Sequence, residues 1–170
     1  TLGYPYAVDV ALRIREKFPA VKIALGGPHA QSSREEILAA NSSPFDYVCY
    51  GEGEYAFELL LDHLEGKIGR DKIESMSFFE NGRVVTNAPA LIPEDLDVFG
   101  HPAAMIPAEY VPLYHEKILA YKSLPFFTII SSRGCPFSCT FCSTPHKFAG
   151  LYKNKMRCHS VEWICDEMLI

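Results

Sequence analysis

Long apolar runs are missing from this chain. A membrane-crossing helix needs roughly 18 or more consecutive apolar residues, and the longest patches here are short ones such as Leu59 to Leu61 and Phe126 to Ile130. No segment has the charged start, apolar centre and small-residue cleavage site of a secretory leader. The expectation is therefore a cytoplasmic protein with no membrane span. A surplus of positive charge is missing too, since 16 Lys and Arg face 21 Asp and Glu for a net charge of −5. Phosphate binding draws on surplus cations, so a nucleic-acid partner is not expected. Hydrolase machinery is absent as well: Glu35, Glu36, Glu52 and Glu54 have no accompanying general acid or nucleophile, and the serines form no nucleophile elbow. There are no repeats or low-complexity tracts. Nor is there an initiating methionine. The chain opens at Thr1 on the approach to a helix and reads as part of something longer.

What is present suffices for a real core. Of 170 residues, 48% are apolar and 12% aromatic, enough for one ordinary domain or two small ones. Ala7, Val10, Ala11, Ile14 and Phe18 recur at helical spacing, and Pro19 ends that helix before the short apolar strand "VKIALGG". Ser33 with Glu36 forms a capping-box signature for a second helix. "DYVCYG" reads as a second buried strand, followed by a helix with Phe57, Leu60, Leu61 and Leu64 on one face and Gly66 behind it. Alternating helices and strands with short connections predict parallel strands wrapped on both sides, a doubly wound, flavodoxin-like sheet. Two strands are too few for such a sheet, and the others are expected before Thr1.

The character changes after residue 72. "IESMSFFENGRVVT" is two strand-like runs around Asn81-Gly82, a strong hairpin signal. Six of the twelve prolines fall between Asn87 and Pro125, which predicts an irregular but ordered connector. "FFTIIS" then reads as a buried strand, and Ser160 caps a helix whose Val161, Ile164, Cys165 and Met168 share a face. The expected division is 1–72, 73–125 for hairpin and connector, and 126–170 for a strand-loop-helix unit.

Between that strand and that helix lies "SSRGCPFSCTFCSTP", with Cys135, Cys139 and Cys142 spaced x3 then x2. Six cysteines without a leader point to a reducing compartment, where clustered thiols bind metal more often than they pair. Three thiolates on a short loop can wrap one face of an iron-sulfur cube. The next cysteines, Cys158 and Cys165, lie 16 and 23 residues past Cys142, so one iron would stay open to a small molecule. Cys49, Cys158 and Cys165 read as small buried hydrophobes. A different metal fits the same spacing, because Cys135, Cys139, Cys142 and His146 also complete a tetrahedral zinc shell in a non-catalytic module.

Cys-x-x-x-Cys-x-x-Cys with Phe141 before the last cysteine, Arg133-Gly134 ahead of it and "RCHSVEWICDEM" behind it, resembles the radical S-adenosylmethionine (SAM) enzymes. The resemblance implies that Cys135, Cys139 and Cys142 hold a 4Fe-4S cluster, that SAM binds the open iron, and that Phe141 lies against the adenine. Reduction of the sulfonium then splits a carbon-sulfur bond. An electron donor of flavodoxin or ferredoxin type is implied as a partner, and the last segment becomes the first strand-loop-helix of a partial (β/α) barrel.

Two glycine pairs extend the likeness. "ALGGPHA" and "YGEGE" each place glycines at the carboxyl end of an expected strand, where open parallel sheets bind ligands. As plain turns they would need no ligand. Their order, followed by hairpin, connector and cysteine loop, resembles the cobalamin-binding branch of radical SAM proteins over nearly the whole chain. By that resemblance Gly26, Gly27, Gly51, Glu52 and Gly53 line the slot for the cobalamin nucleotide tail, and the usual reaction is methyl transfer to an unactivated carbon or phosphorus of a small or lipid-like substrate. Cyclisation or rearrangement uses the same parts in some members. His29 reads as a turn residue or a contact with the ligand's edge rather than a cobalt ligand. The basic run His146, Lys147, Lys153, Lys155 and Arg157 reads as solvated loop charge, with Arg157 closest to the helix expected over the cluster. These 170 residues by themselves are expected to turn nothing over.

Overall fold

A computed structural model describes residues 2–40, 42–113, 128–137, 139–142 and 156–170. The described residues form two compact units, one of residues up to 92 together with 139–142, the other of 93–113, 128–137 and 156–170.

The first unit is built on a mixed four-stranded sheet. Helix α1 (Tyr4–Lys17) precedes β1 (Ala24–Leu25), α2 (Pro28–Ala39) leads to β2 (Tyr47–Cys49), and α3 (Gly53–Leu64) follows. Strands β1 and β2 are parallel, with Ala24 opposite Tyr47 and Leu25 opposite Val48. Then β3 (Met76–Glu80) adds antiparallel to β2, and β4 (Arg83–Thr86) pairs back on β3. Asn81 and Gly82 both have positive φ, at 50° and 80°, as a two-residue primed turn requires. Strand alternation in β2 sends neighbours to opposite faces. Val48 packs with Ala11 of α1 and Ala30, Ile37 and Leu38 of α2, whereas Tyr47 packs with Ala56 and Leu60 of α3 and with Ile73 and Phe78. Helices thus cover both faces of the parallel pair, and the hairpin extends the sheet beyond it.

Some expected faces are not the buried ones. In α1 the core side is Tyr4, Val8 and Ala11, while Val10, Ile14 and Phe18 stay exposed. In α3 it is Ala56 and Leu60, while Phe57, Leu61 and Leu64 are open. The capping-box reading of α2 is corrected as well: the helix starts at Pro28, and Ser33 sits at an internal kink with φ −120° and ψ 22°. Proline at the first helical position loses no hydrogen bond and arrives with its φ preset.

In the second unit a two-stranded ribbon joins β5 (Ser132–Arg133) to β6 (Arg157–Cys158), antiparallel. Helix α4 (Val161–Leu169) follows, its Trp163 N–H donating to the Ser160 Oγ at 3.0 Å. Trp163 is the buried residue of α4, not the expected Val161 and Met168. The expected strand "FFTIIS" is corrected too: Phe126 and Phe127 lie outside the described residues, and 128–131 has no regular structure. A short strand needs a neighbour on which to satisfy its backbone groups, and the ribbon forms one step later, where Arg157 and Cys158 supply one.

Candidate cofactor-binding site

The carboxyl ends of β1 and β2 carry the two glycine turns. Gly27 has φ 96° and ψ 174° and serves as N-cap of α2, a conformation open essentially to glycine alone. Gly51 has φ 79°. A Cβ added at Gly27 or Gly53 would meet nothing within 4 Å, so open space lies beside both turns. Glu52 is the N-cap of α3 and Gly53 its first residue. A cavity of about 210 Å³ opens beside Gly26 and Gly27, walled by Tyr4, Leu25 and His29. His29 is packed there against Tyr4, ring centroids 4.4 Å apart.

Gly51, Glu52 and Gly53 do not line that cavity. A residue not singled out from sequence links the two turns instead. The Gln31 N–H donates to the Gly27 carbonyl at 3.0 Å, and the Gly51 N–H donates to Gln31 Oε1 at 3.4 Å. Cys49, at the end of β2, is half-buried, and burial followed by the charge of Glu54 pushes its thiol up to about 11. It is therefore a neutral packing residue, as expected. Cys158 and Cys165 are exposed, contrary to their reading as buried hydrophobes.

On the cysteine loop none of the three cysteines is in a disulfide; Cys135 and Cys142 are half-buried and Cys139 is exposed. The Cys142 N–H donates to the Cys139 carbonyl at 3.2 Å, a turn that binds the last two positions together. Phe141 is 90% exposed, its ring face open to a ligand. Cys135 belongs to the second unit, Cys139 and Cys142 to the first, and among the described residues no three His, Cys, Asp or Glu side chains are gathered as a metal ligand set. His146, the fourth member of the zinc alternative, lies outside the described residues, as do Lys147, Lys153 and Lys155. Arg157 is buried and donates to the Pro93 carbonyl, so it is not solvated loop charge.

Around α4 the second unit holds a sandwich of three rings. Trp163 stacks on His159 at 3.7 Å and on His101 at 4.8 Å. Each histidine is held by an acid, His159 Nδ1 at 2.9 Å from Asp97 and His101 Nδ1 at 3.0 Å from Glu167. The Ser160 donors, countering a smaller burial effect and joined by His159, hold the Asp97 carboxyl below its ordinary range. These partners are more than sixty residues apart in sequence, which is why no local motif announced them.

A family model described as the B12 binding domain matches residues 1–61. An uncharacterized methyltransferase of Pyrococcus horikoshii is 34% identical over 151 residues, covering 88% of this chain and 30% of that protein. The cobalamin-dependent radical SAM methyltransferase TokK of Streptomyces tokunonensis is 28% identical over 142 residues, 79% of this chain and 19% of TokK. The chain thus spans less than a third of either relative. In structure it matches the cobalamin-dependent SAM radical enzyme OxsB, solved with aqua-cobalamin and SAM bound, at a TM-score of 0.67 and 18% identity, over 98% of this chain and 21% of OxsB; that likeness shows the fold. With a B12-binding segment that carries both glycine turns and a cobalamin-dependent radical SAM methyltransferase among its sequence relatives, the chain belongs to the radical SAM proteins that carry a cobalamin-binding domain.

Proposed function

We propose that the chain holds cobalamin at the ends of β1 and β2 and a 4Fe-4S cluster on the cysteine loop, as part of an enzyme that cleaves SAM reductively and transfers a methyl group to an unactivated carbon or phosphorus. The observation that carries the cobalamin side is the pair of glycine turns, Gly26-Gly27 and Gly51 to Gly53, at the carboxyl ends of adjacent parallel strands. Ligands of open parallel sheets bind at that edge. Positive φ at Gly27 and Gly51 keeps side chains out of the approach and turns backbone toward the ligand. Glu52 occupies the N-cap position of α3 at this edge, and Tyr4 and His29 wall the cavity beside Gly26 and Gly27.

On the cysteine loop the donor chemistry fits an iron-sulfur cluster: Cys135, Cys139 and Cys142 are not in disulfides, and they would serve as thiolate ligands. Phe141 would cover the SAM adenine. When bound, the cluster supplies the electron that cleaves SAM, and cobalamin carries the methyl group. The electron would come from a flavodoxin or ferredoxin type donor. Support for methyl transfer comes from the two relatives above, both of them methyltransferases by name.

Anaerobic reconstitution with iron and sulfide should give a brown protein with about four irons per chain, and Cys139→Ala should lose the colour. Addition of aqua-cobalamin should shift its visible spectrum and co-purify on gel filtration. A colourless protein that takes up one zinc instead would overturn the cluster, and no retained cobalamin would overturn the slot.

A further inference from the structure

Among the described residues only two buried side-chain polar atoms lack a hydrogen-bond partner, Gln31 Nε2 and Arg34 Nε. Both are on α2, one helical turn apart, and both face the end of β2. Gln31 is 6% exposed. Its carboxamide orientation is set by chemistry: the Gly51 N–H is a donor, so the oxygen must face it. The NH2 group shares a carbon with that oxygen and therefore sits at the same glycine turn with two hydrogens unused. Arg34 donates through Nη1 to the Gln31 carbonyl at 2.7 Å, and its guanidinium lies 5.0 Å over the ring of Tyr50, the residue before Gly51.

Orphaned buried donors are costly, and native proteins retain few of them without a reason. Two at one ligand-binding strand end have a common reason, an acceptor that arrives with the ligand. We propose that Gln31 Nε2, aided by Arg34 Nε, donates to an oxygen acceptor of cobalamin bound at the glycine-rich edge of the sheet and so reads the ligand there. The inference rests on the cobalamin reading above. Two parts of the molecule offer such oxygens, the ribose phosphate of the nucleotide tail and the carboxamides on the corrin edge. Gln31 meets Gly27 through its backbone N–H and Gly51 through its side-chain oxygen, so the residue that stands between the two turns is also the one that carries the unused donor.

The test is titration of the full chain, wild type, Gln31→Met and Arg34→Met, with aqua-cobalamin and separately with dicyanocobinamide, which keeps the corrin amides and lacks the nucleotide. Thermal melts of each ligand-free variant establish folding. We expect Gln31→Met to weaken cobalamin about tenfold, the effect of one buried hydrogen bond, with an unchanged melt. Loss confined to cobalamin places the acceptor on the nucleotide tail; equal loss with cobinamide places it on the corrin edge. Should Gln31→Met melt early, Arg34→Met decides, with a similar expected loss. Folded variants that bind cobalamin within twofold of wild type would overturn the donor role alone, whereas a wild type that binds no cobalamin would overturn the slot reading and this inference together.

Discussion

At the scale of single residues, Asp46 shows how one carboxylate can fasten several elements. It accepts from the Ile23 N–H at 3.0 Å, from Lys22 at 3.2 Å and from Arg15 of α1, and Arg15 also donates to the Pro44 and Val21 carbonyls. Burial alone would raise its carboxyl, but the Ile23 N–H and the Arg15 and Lys22 side chains outweigh it and hold the group below its ordinary range. A carboxyl lowered by folding stabilises fully above its unfolded value of about 3.9 and loses that contribution as pH falls through the folded value. Asp46→Asn should therefore be less stable than wild type near neutrality, with the gap closing below about pH 4; urea unfolding at a series of pH values measures it. A constant gap down to pH 2 would contradict the sign. Nothing near Asp46 in sequence announces this role, since Arg15 is 31 residues away. Asn81-Gly82 was legible for the opposite reason: its turn is made by its own two residues.

Among elements, α4 is the one whose start the sequence named and whose buried face it did not. Ser160 before an apolar run is a local signal, and its side chain does cap the helix. Ser160→Ala should cost about 1 kcal/mol. Trp163 is the chain's single tryptophan, so the second unit's unfolding is read directly from its fluorescence, and an unshifted denaturant midpoint would contradict the cap. The buried face escaped because Val161, Ile164 and Met168 are as apolar as Trp163, and periodicity alone cannot tell which side has a partner. His101 and His159 settle it by stacking on the indole. In α2 the local signal misled in a different way. Ser33 and Glu36 mark a genuine break in the helix, but Gly27 and Pro28 had already started it.

Across the molecule, alternating helices and strands made the doubly wound layer legible, and the glycine turns fell at the strand ends where the sequence placed them. The donors beside those turns were not legible, because a lone Gln and Arg in a helix carry no motif. Pairing order in the sheet also has a kinetic consequence. The contacts of β3 with β4 are local, closed by a two-residue turn, whereas β1 meets β2 only after α2 has been traversed. Local pairings close with less entropy loss and so form sooner. The hairpin is then the nucleus and the glycine edge the last part to assemble. Gly82→Val should slow refolding in stopped-flow experiments, while Leu25→Ala should chiefly speed unfolding; the reverse assignment would refute the order. A refolding chain would thus acquire its rigid scaffold before its ligand-binding rim, leaving the rim to be set by whatever ligand is present as folding ends.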